Sequence, residues 1–182
     1  MTPLFSVLVS LWVASPLAGE SAAMEVSVPF ACGRAFVVSQ AHAVGSHWQN
    51  DTWAWDFRMP EGVPIVAAQE GIVRLARGDS REGGCDAKLA RRANYVVLRH
   101  ANGVETQYLH LRDVAVVPGE RVRAGKVLGH SGSTGWACGA HLHFKVARAQ
   151  GNGWNNPSVP AKFQGWGDPK RGDLVSSPSC EP

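Results

Sequence analysis

Two histidines separated by a single residue, His141 and His143, are the part of the sequence best suited to chemistry. They alternate with the apolar residues Leu142, Phe144 and Val146, and a period of two is typical of a strand with one polar and one apolar face. Side chains two residues apart on a strand point to the same side. One imidazole could therefore bind zinc while the other moves protons on a water held there. A pair of surface histidines beside a core face explains this motif alone equally well.

Other residues could complete such a site. His47, Asp56 and His143 could supply the three protein ligands that a zinc hydrolase needs while leaving a position for water. Nitrogen and carboxylate ligands suit zinc, although they also accept other divalent metals. His141 and His110 then remain for proton transfer and for stabilising a developing oxyanion. Alternatively, Asp56 could cap a turn and His110 could be a hydrogen-bonded strand histidine.

Three segments that contain these residues resemble, in the same order, the lysostaphin-type (LytM-like) zinc peptidoglycan endopeptidases. WDFRMPEGVPIVAA at 55–68, followed by EGIV at 70–73, is similar to their zinc-aspartate segment. YLHL at 108–111 is similar to their catalytic-histidine segment, and GHSGSTG at 129–135 running into GAHLHF at 139–144 resembles their His-x-His signature. Three ordered motifs across residues 40–147 make the resemblance specific.

The resemblance implies an all-β fold, an antiparallel sheet of the duplicated-hybrid-motif type with long loops bordering a metal cleft. It also implies one zinc ion and hydrolysis of peptide bonds in peptidoglycan stems or cross-links. In that family pattern Asp56 and His143 bind zinc, and His110 and His141 are catalytic.

The first zinc ligand departs from the commonest family spacing, which places a histidine four residues before the aspartate. Thr52 occupies that position and cannot bind zinc in that way. Some relatives carry a longer loop with the histidine in a Ser-His pair, and Ser46-His47 fits that form. We therefore favour His47 as the third ligand, with His42 as its rival.

Composition sets the general class of the protein. The chain of 182 residues is 45% hydrophobic and 18% charged, as expected for one globular domain with a real core. A formal charge of only +3 gives no strong case for a nucleic-acid partner. We expect peptidoglycan peptides as the partner, no contact with a membrane after removal of a leader, and a monomer.

The apolar run 4–15 ends at Pro16 and is followed by small residues, which is typical of a secretory signal peptide over residues 1–23. No Lys or Arg precedes Arg34, so a buried N-terminal helix is the alternative. We expect an exported protein, periplasmic or extracellular, with the peptidase domain at 24–150 and an irregular C-terminal tail at 151–182 packed on it.

Four cysteines in an exported chain favour two disulfides, with three possible connectivities. We predict Cys32–Cys180, joining the chain ends, and Cys85–Cys138, which would tie a long loop to the segment before the His-x-His strand. Four free thiols are the alternative.

The remaining pattern is that of short strands and turns. Asn102-Gly103 predicts a hairpin, and the charged, glycine-containing stretch 78–93 predicts a long loop. Tyr108 and His110 are predicted to share a strand face. The predicted strands are 35–40, 63–68, 72–76, 95–99 and 104–111.

Two other functions are compatible with these motifs. A non-catalytic module of the same fold could bind the wall or activate an amidase, although such modules typically lack some of the ligands that are present here. A zinc peptidase acting on proteins is the second alternative, and substrate assays would separate it from a wall hydrolase.

Overall fold

The computed structural model describes residues 24–178, which fold almost entirely into β structure. Two 3₁₀ segments, Gln49–Asp51 and Ala87–Arg92, interrupt the strands. The strands are β1 Met24–Val26, β2 Ala35–Gln40, β3 Trp55–Arg58, β4 Pro64–Val66, β5 Gly71–Arg77, β6 Gly83–Gly84, β7 Tyr95–Arg99, β8 Val104–Leu109, β9 Leu111–Val114, β10 Arg121–Val122, β11 Val127–Ser131, β12 Gly135–Trp136, β13 His141–Arg148, β14 Ala161–Phe163 and β15 Leu174–Ser176.

An eight-stranded antiparallel sheet forms the centre of the fold, in the order β10-β5-β7-β8-β13-β3-β2-β15. Its central strands alternate as the sequence predicts, and Trp55, Phe57, Leu142 and Phe144 are fully buried in one core. The three-stranded sheet β4-β11-β9 contributes further members of that core. The all-β, antiparallel class is therefore confirmed, with two short parallel pairs, β1–β14 and β12–β6, added to it.

The opposite face of the central strands is polar but does not face solvent. His143, Lys145, Glu105 and Gln107 are all buried on β13 and β8. Loop residues cover this face. The Lys145 ammonium, for example, donates to the backbone carbonyls of Asn50 and Asn156 as well as to side chains. Hydrogen bonds such as these fix the positions of buried polar side chains, so this face can hold a precisely arranged polar site.

The β7–β8 hairpin shows how local sequence determines local structure. Gly103 has φ 76° in the turn between β7 and β8, a left-handed conformation that glycine adopts without strain. The strands pair in register from Tyr95 opposite Leu109 to Arg99 opposite Glu105. The predicted bounds of β2 and β7 are confirmed, and so is the hairpin.

The long loop 78–93 contains the short strand β6 and the segment Ala87–Arg92. A disulfide joins Cys85 in this loop to Cys138, just before β13, and so confirms that predicted pairing. The same loop pairs β6 with β12, where Gly83 lies opposite Gly135 and Gly84 opposite Trp136. The covalent link therefore holds the loop against the segment that leads to the histidine strand.

The C-terminal tail, which was predicted to be irregular, contains two short strands. Residues 161–163 form β14, which pairs with β1, and residues 174–176 form β15, which adds an edge to the central sheet beside β2. These strands are only three residues long, so the period-two pattern is too short to be recognised in the sequence.

The predicted signal peptide at 1–23 and the predicted Cys32–Cys180 bond both involve residues outside the described range. Within residues 24–178, no helix has the length and apolar character needed to cross a membrane.

Candidate metal and catalytic site

The pairing of β13 with β3 brings two of the candidate ligands together. His143 lies directly opposite Asp56 in the antiparallel register, although 87 residues separate them in sequence. Their side chains meet on the polar face, where His143 Nδ1 is 2.9 Å from Asp56 Oδ1. Both residues are mid-strand and buried, so the backbone ladder fixes their relative position.

His47 reaches the same carboxylate from the loop before β3. Its Nε2 is 3.0 Å from Asp56 Oδ1, and its Nδ1 is 2.8 Å from the carbonyl oxygen of Ala41. Because a carbonyl can only accept, Nδ1 carries a proton, and Nε2 is the nitrogen that faces the Asp56 carboxylate. The rival, His42, instead contacts the carbonyl of Ala54 and the carboxylate of Asp168. The structure thus places His47, and not His42, beside Asp56.

These three residues fit a zinc ion. One ligand atom from each of His47, Asp56 and His143 lies within 4.8 Å of the others. Zinc–ligand bonds of about 2.0–2.2 Å in a tetrahedron put neighbouring ligand atoms roughly 3.3 Å apart, close to the 2.9 and 3.0 Å observed around Asp56 Oδ1. Two imidazoles and one carboxylate form a donor set that catalytic zinc sites use.

His110 enters the site because the backbone turns at that residue. Strand β8 ends at Leu109, and His110 has φ 64°, a strained conformation for a residue with a side chain. In a regular strand it would share the face of Tyr108, which is fully buried in the core. The predicted shared face is therefore wrong, and the ring of His110 lies beside His141 and His143, with centroid distances of 4.5 and 5.9 Å.

Backbone carbonyls fix the protonation pattern of both candidate catalytic histidines. His110 Nδ1 is 2.7 Å from the oxygen of Thr134, and His141 Nδ1 is 2.9 Å from the oxygen of Gly139. In each ring Nδ1 must therefore donate, and in the neutral form of the ring Nε2 keeps a lone pair for chemistry. His141 Nε2 is 3.9 Å from Asp56 Oδ1, which places it at the edge of the ligand cluster.

The pKa values of Asp56, His143 and His110 are shifted in different directions by their surroundings. Burial alone would raise the pKa of the Asp56 carboxyl, but hydrogen bonds from His143 and His47 outweigh it and hold that pKa well below its ordinary value. Burial opposes the charged form of His143, yet Asp51 and Asp56 raise its pKa to about 9. Burial lowers the pKa of His110 to about 3, helped by the neighbouring histidines, so this ring is neutral near pH 7.

An open cleft runs through the site. One part, about 730 Å³, is bordered by Trp48, Arg91 and Trp154, and a second part of about 530 Å³ is bordered by Arg58 and Ala140. Both parts share Ser46, Trp136, His110 and His143, so they meet at the ligand cluster. A cleft with two parts that meet at the ligand cluster has room for a substrate that extends beyond the site.

Two functional candidates, Asp51 and Lys145, were missed by the sequence analysis. Asp51 Oδ1 is 3.4 Å from His143 Nε2, within ion-pair range but without the alignment of a hydrogen bond, so we treat the contact as electrostatic. Lys145 follows His143 by two residues and shares its strand face, which the alternation could have indicated. His100 and His130 hydrogen-bond elsewhere, to Glu70 and Thr106 and to Asp113, as expected for structural residues.

Comparison with known proteins places the geometry in context. The model of the family described as Peptidase family M23 matches residues 51–156, more than half of the chain. The matched range includes Asp56, His110, His141 and His143, whereas His47 lies just before it.

Curated relatives match over the same region. The chain is 38% identical over 118 residues to the DD-carboxypeptidase/endopeptidase Mpg of Neisseria meningitidis serogroup B, covering 65% of this chain and 24% of that protein. It is 37% identical over 91 residues to the peptidoglycan DD-endopeptidase ShyA of Vibrio cholerae, covering 50% of this chain and 19% of that protein. The chain thus spans about a quarter or less of the length of these relatives.

Solved structures share the fold. The catalytic domain of the prophage-encoded M23 protein EnpA from Enterococcus faecalis superposes with a TM-score of 0.55 at 22% identity, over 73% of this chain and 93% of that one. The antimicrobial peptidase lysostaphin from Staphylococcus simulans superposes with a TM-score of 0.52 at 26% identity, over 67% of this chain and 47% of that one.

Proposed function

This chain belongs to peptidase family M23, and from that membership together with its site we propose that it is an exported zinc endopeptidase that hydrolyses peptide bonds in peptidoglycan stems or cross-links. The observation that carries the proposal is the convergence of His47, Asp56 and His143 on one point, with the rings of His110 and His141 beside them. The name of the Vibrio cholerae relative, a peptidoglycan DD-endopeptidase, supports peptidoglycan as the substrate.

In this proposal His47, Asp56 and His143 hold the zinc ion. When bound, zinc lowers the pKa of a water molecule and polarises the scissile carbonyl. His141 and His110 move protons and hold the developing oxyanion, since each keeps an Nε2 lone pair while its Nδ1 is anchored on a carbonyl. Positioned groups of this kind contribute about 10²–10⁴-fold each to the rate.

Two structural features support the finer parts of the proposal. The two parts of the cleft meet at the ligand cluster, which suits a peptide substrate that extends beyond the scissile bond. The Cys85–Cys138 disulfide suits an oxidising compartment and therefore an exported protein. A non-catalytic module is the alternative, and the presence of all five site residues argues against it.

The test is zinc content combined with mass analysis of muropeptides that the full-length protein releases from walls of defined cross-link. We expect one zinc per chain and new peptide termini. His143→Ala should abolish both, whereas His130→Ala, which removes a histidine bonded to Asp113 away from the site, should retain both. Wall binding by the zinc-loaded protein without muropeptide release would instead favour the non-catalytic module, and equal cleavage of unrelated proteins would favour a general peptidase.

A further inference from the structure

We infer that Asp51, which is partly exposed, and the buried Lys145 form an ion pair whose role is to position the metal ligand His143. The inference rests on the proposed function, because it assigns a role to residues around the zinc site. It treats Asp51 as a positioning residue that acts on His143 and Lys145 as the cation that holds Asp51 in place.

Lys145 is the most unusual residue of the polar face. Its side chain is fully buried, which is rare for lysine and costly unless the ammonium is paired and hydrogen-bonded. Four oxygens surround Nζ: Asp51 Oδ1 and Asn155 Oδ1 at 2.6 Å, and the carbonyls of Asn50 and Asn156 at 3.0 Å. Asp51 supplies the one carboxylate among these partners, so the charge of Lys145 is balanced there.

Asp51 connects this lysine to the metal ligand. It ends the segment Gln49–Asp51, and one oxygen, Oδ1, lies 2.6 Å from Lys145 Nζ and 3.4 Å from His143 Nε2. His143 Nδ1 is directed at Asp56, so Nε2 is the nitrogen left facing away from the ligand cluster. That nitrogen is buried and, within the described residues, makes no aligned hydrogen bond, and Asp51 Oδ1 is the carboxylate oxygen that lies within ion-pair range of it.

The chemistry of metal-binding imidazoles gives this geometry its function. A histidine that ligates through one nitrogen usually donates the other N–H to a carboxylate, which fixes the tautomer and the ring orientation. Loss of such a partner typically costs about 10–100-fold in metal affinity or activity. Lys145 shares a strand face with His143 and places the carboxylate, since the 3₁₀ segment that carries Asp51 has no buried residues of its own.

The alternative is that the pair only fastens the loop to the sheet. Three variants of the full-length protein separate the two roles: Asp51→Leu, Lys145→Met and the double variant. Asp51→Leu leaves the buried ammonium of Lys145 without a countercharge, and Lys145→Met leaves the partly buried carboxylate of Asp51 without one. The double change replaces the pair by apolar side chains of similar size, which avoids an unpaired charge. We therefore expect thermal stability to fall in both single variants and to recover in part in the double variant, because the carbonyls of Asn50 and Asn156 still lose their donor.

Zinc affinity, measured on the apoprotein by competition with a chromophoric chelator, should behave differently. We expect about 10–100-fold weaker binding for Asp51→Leu, a smaller loss for Lys145→Met, and no recovery in the double variant. Asp51→Asn, which keeps an acceptor oxygen but no charge, should lose less and provides a milder variant if Asp51→Leu folds poorly. The absorption spectrum of the cobalt-substituted protein should change in Asp51→Leu, because it reports the geometry of the ligands.

Matched controls use exposed residues of the same types. Asp79→Leu removes a carboxylate whose side chain is 79% exposed, and Lys126→Met removes an exposed lysine; both should bind zinc as the wild type does. Zinc affinity of Asp51→Leu within twofold of wild type, or affinity that recovers with stability in the double variant, would overturn the inference. Absence of zinc binding by the wild type would overturn the proposed function itself, which keeps the two failures distinct.

Discussion

Exchange of His47 or His42 for alanine tests the assignment of the third zinc ligand most directly. The two histidines are five residues apart, and both side chains are largely buried, so they form a matched pair. His47 Nε2 is 3.0 Å from Asp56 Oδ1, and its ring is already oriented by Ala41. His42 makes its contacts with Ala54 and Asp168, away from the ligand cluster.

The size of the effect follows from the number of ligands. Four-ligand zinc sites in small peptides contribute about 10–16 kcal/mol, so one ligand accounts for roughly 3–4 kcal/mol. His47→Ala should therefore weaken zinc binding by about 10²–10³-fold. His42→Ala should leave zinc binding unchanged and cost about 1–3 kcal/mol of stability, because it removes two partly buried hydrogen bonds.

The assay is chelator competition on metal-free protein, with circular dichroism and thermal melting to verify that each variant is folded. Each variant should lose a different property. His47→Ala should fold but bind zinc poorly, and His42→Ala should melt at a lower temperature but bind zinc normally. If His42→Ala lost as much zinc affinity as His47→Ala, or more, the assignment from the distances would be wrong.

Three further predictions concern catalysis, pH and the disulfide. His110→Ala should retain zinc and lose about 10²–10⁴-fold in turnover, measured as zinc content and muropeptide release; zinc loss as severe as in His143→Ala would contradict the separate roles. The pKa of His143 is raised to about 9 in the metal-free protein, so its imidazole is protonated below that pH. Zinc affinity should therefore rise with pH up to about 9, and zinc binding should release a proton. Calorimetry in buffers of different ionisation enthalpy would detect that proton. Reduction of the Cys85–Cys138 disulfide, whose cysteines are 53 residues apart, should lower the free energy of unfolding by roughly 2–4 kcal/mol. Denaturant titrations with and without reductant measure this difference, and an unchanged unfolding midpoint would contradict the prediction.

Local sequence rules identified several strands and one hairpin. The predicted strands 35–40 and 95–99 match the bounds of β2 and β7, and Asn102-Gly103 predicted the hairpin. The alternation around His141 and His143 correctly predicted a strand with an apolar face, because a strand repeats every two residues. The same rules failed for β14 and β15, where pairing with distant strands stabilises segments that have no pattern of their own.

These rules could not predict the backbone conformation of a single residue, His110. His110 would have pointed into the core beside Tyr108 had β8 continued regularly, and only its positive φ turns the ring toward the site. The residues YLHL at 108–111 do not predict that turn, because the surrounding structure imposes the conformation and histidine does not favour it.

By itself, the sequence determined the class of the fold, the family and the types of residue available for chemistry, since these depend on motifs that are local along the chain. Only the tertiary structure decided which groups meet: His47 rather than His42 beside Asp56, and Lys145 buried against Asp51 behind His143. The physical reason is that a metal site depends on distances of a few ångströms between side chains that lie up to 87 residues apart. Strand register and loop packing fix those distances, and neither can be derived from spacing along the chain.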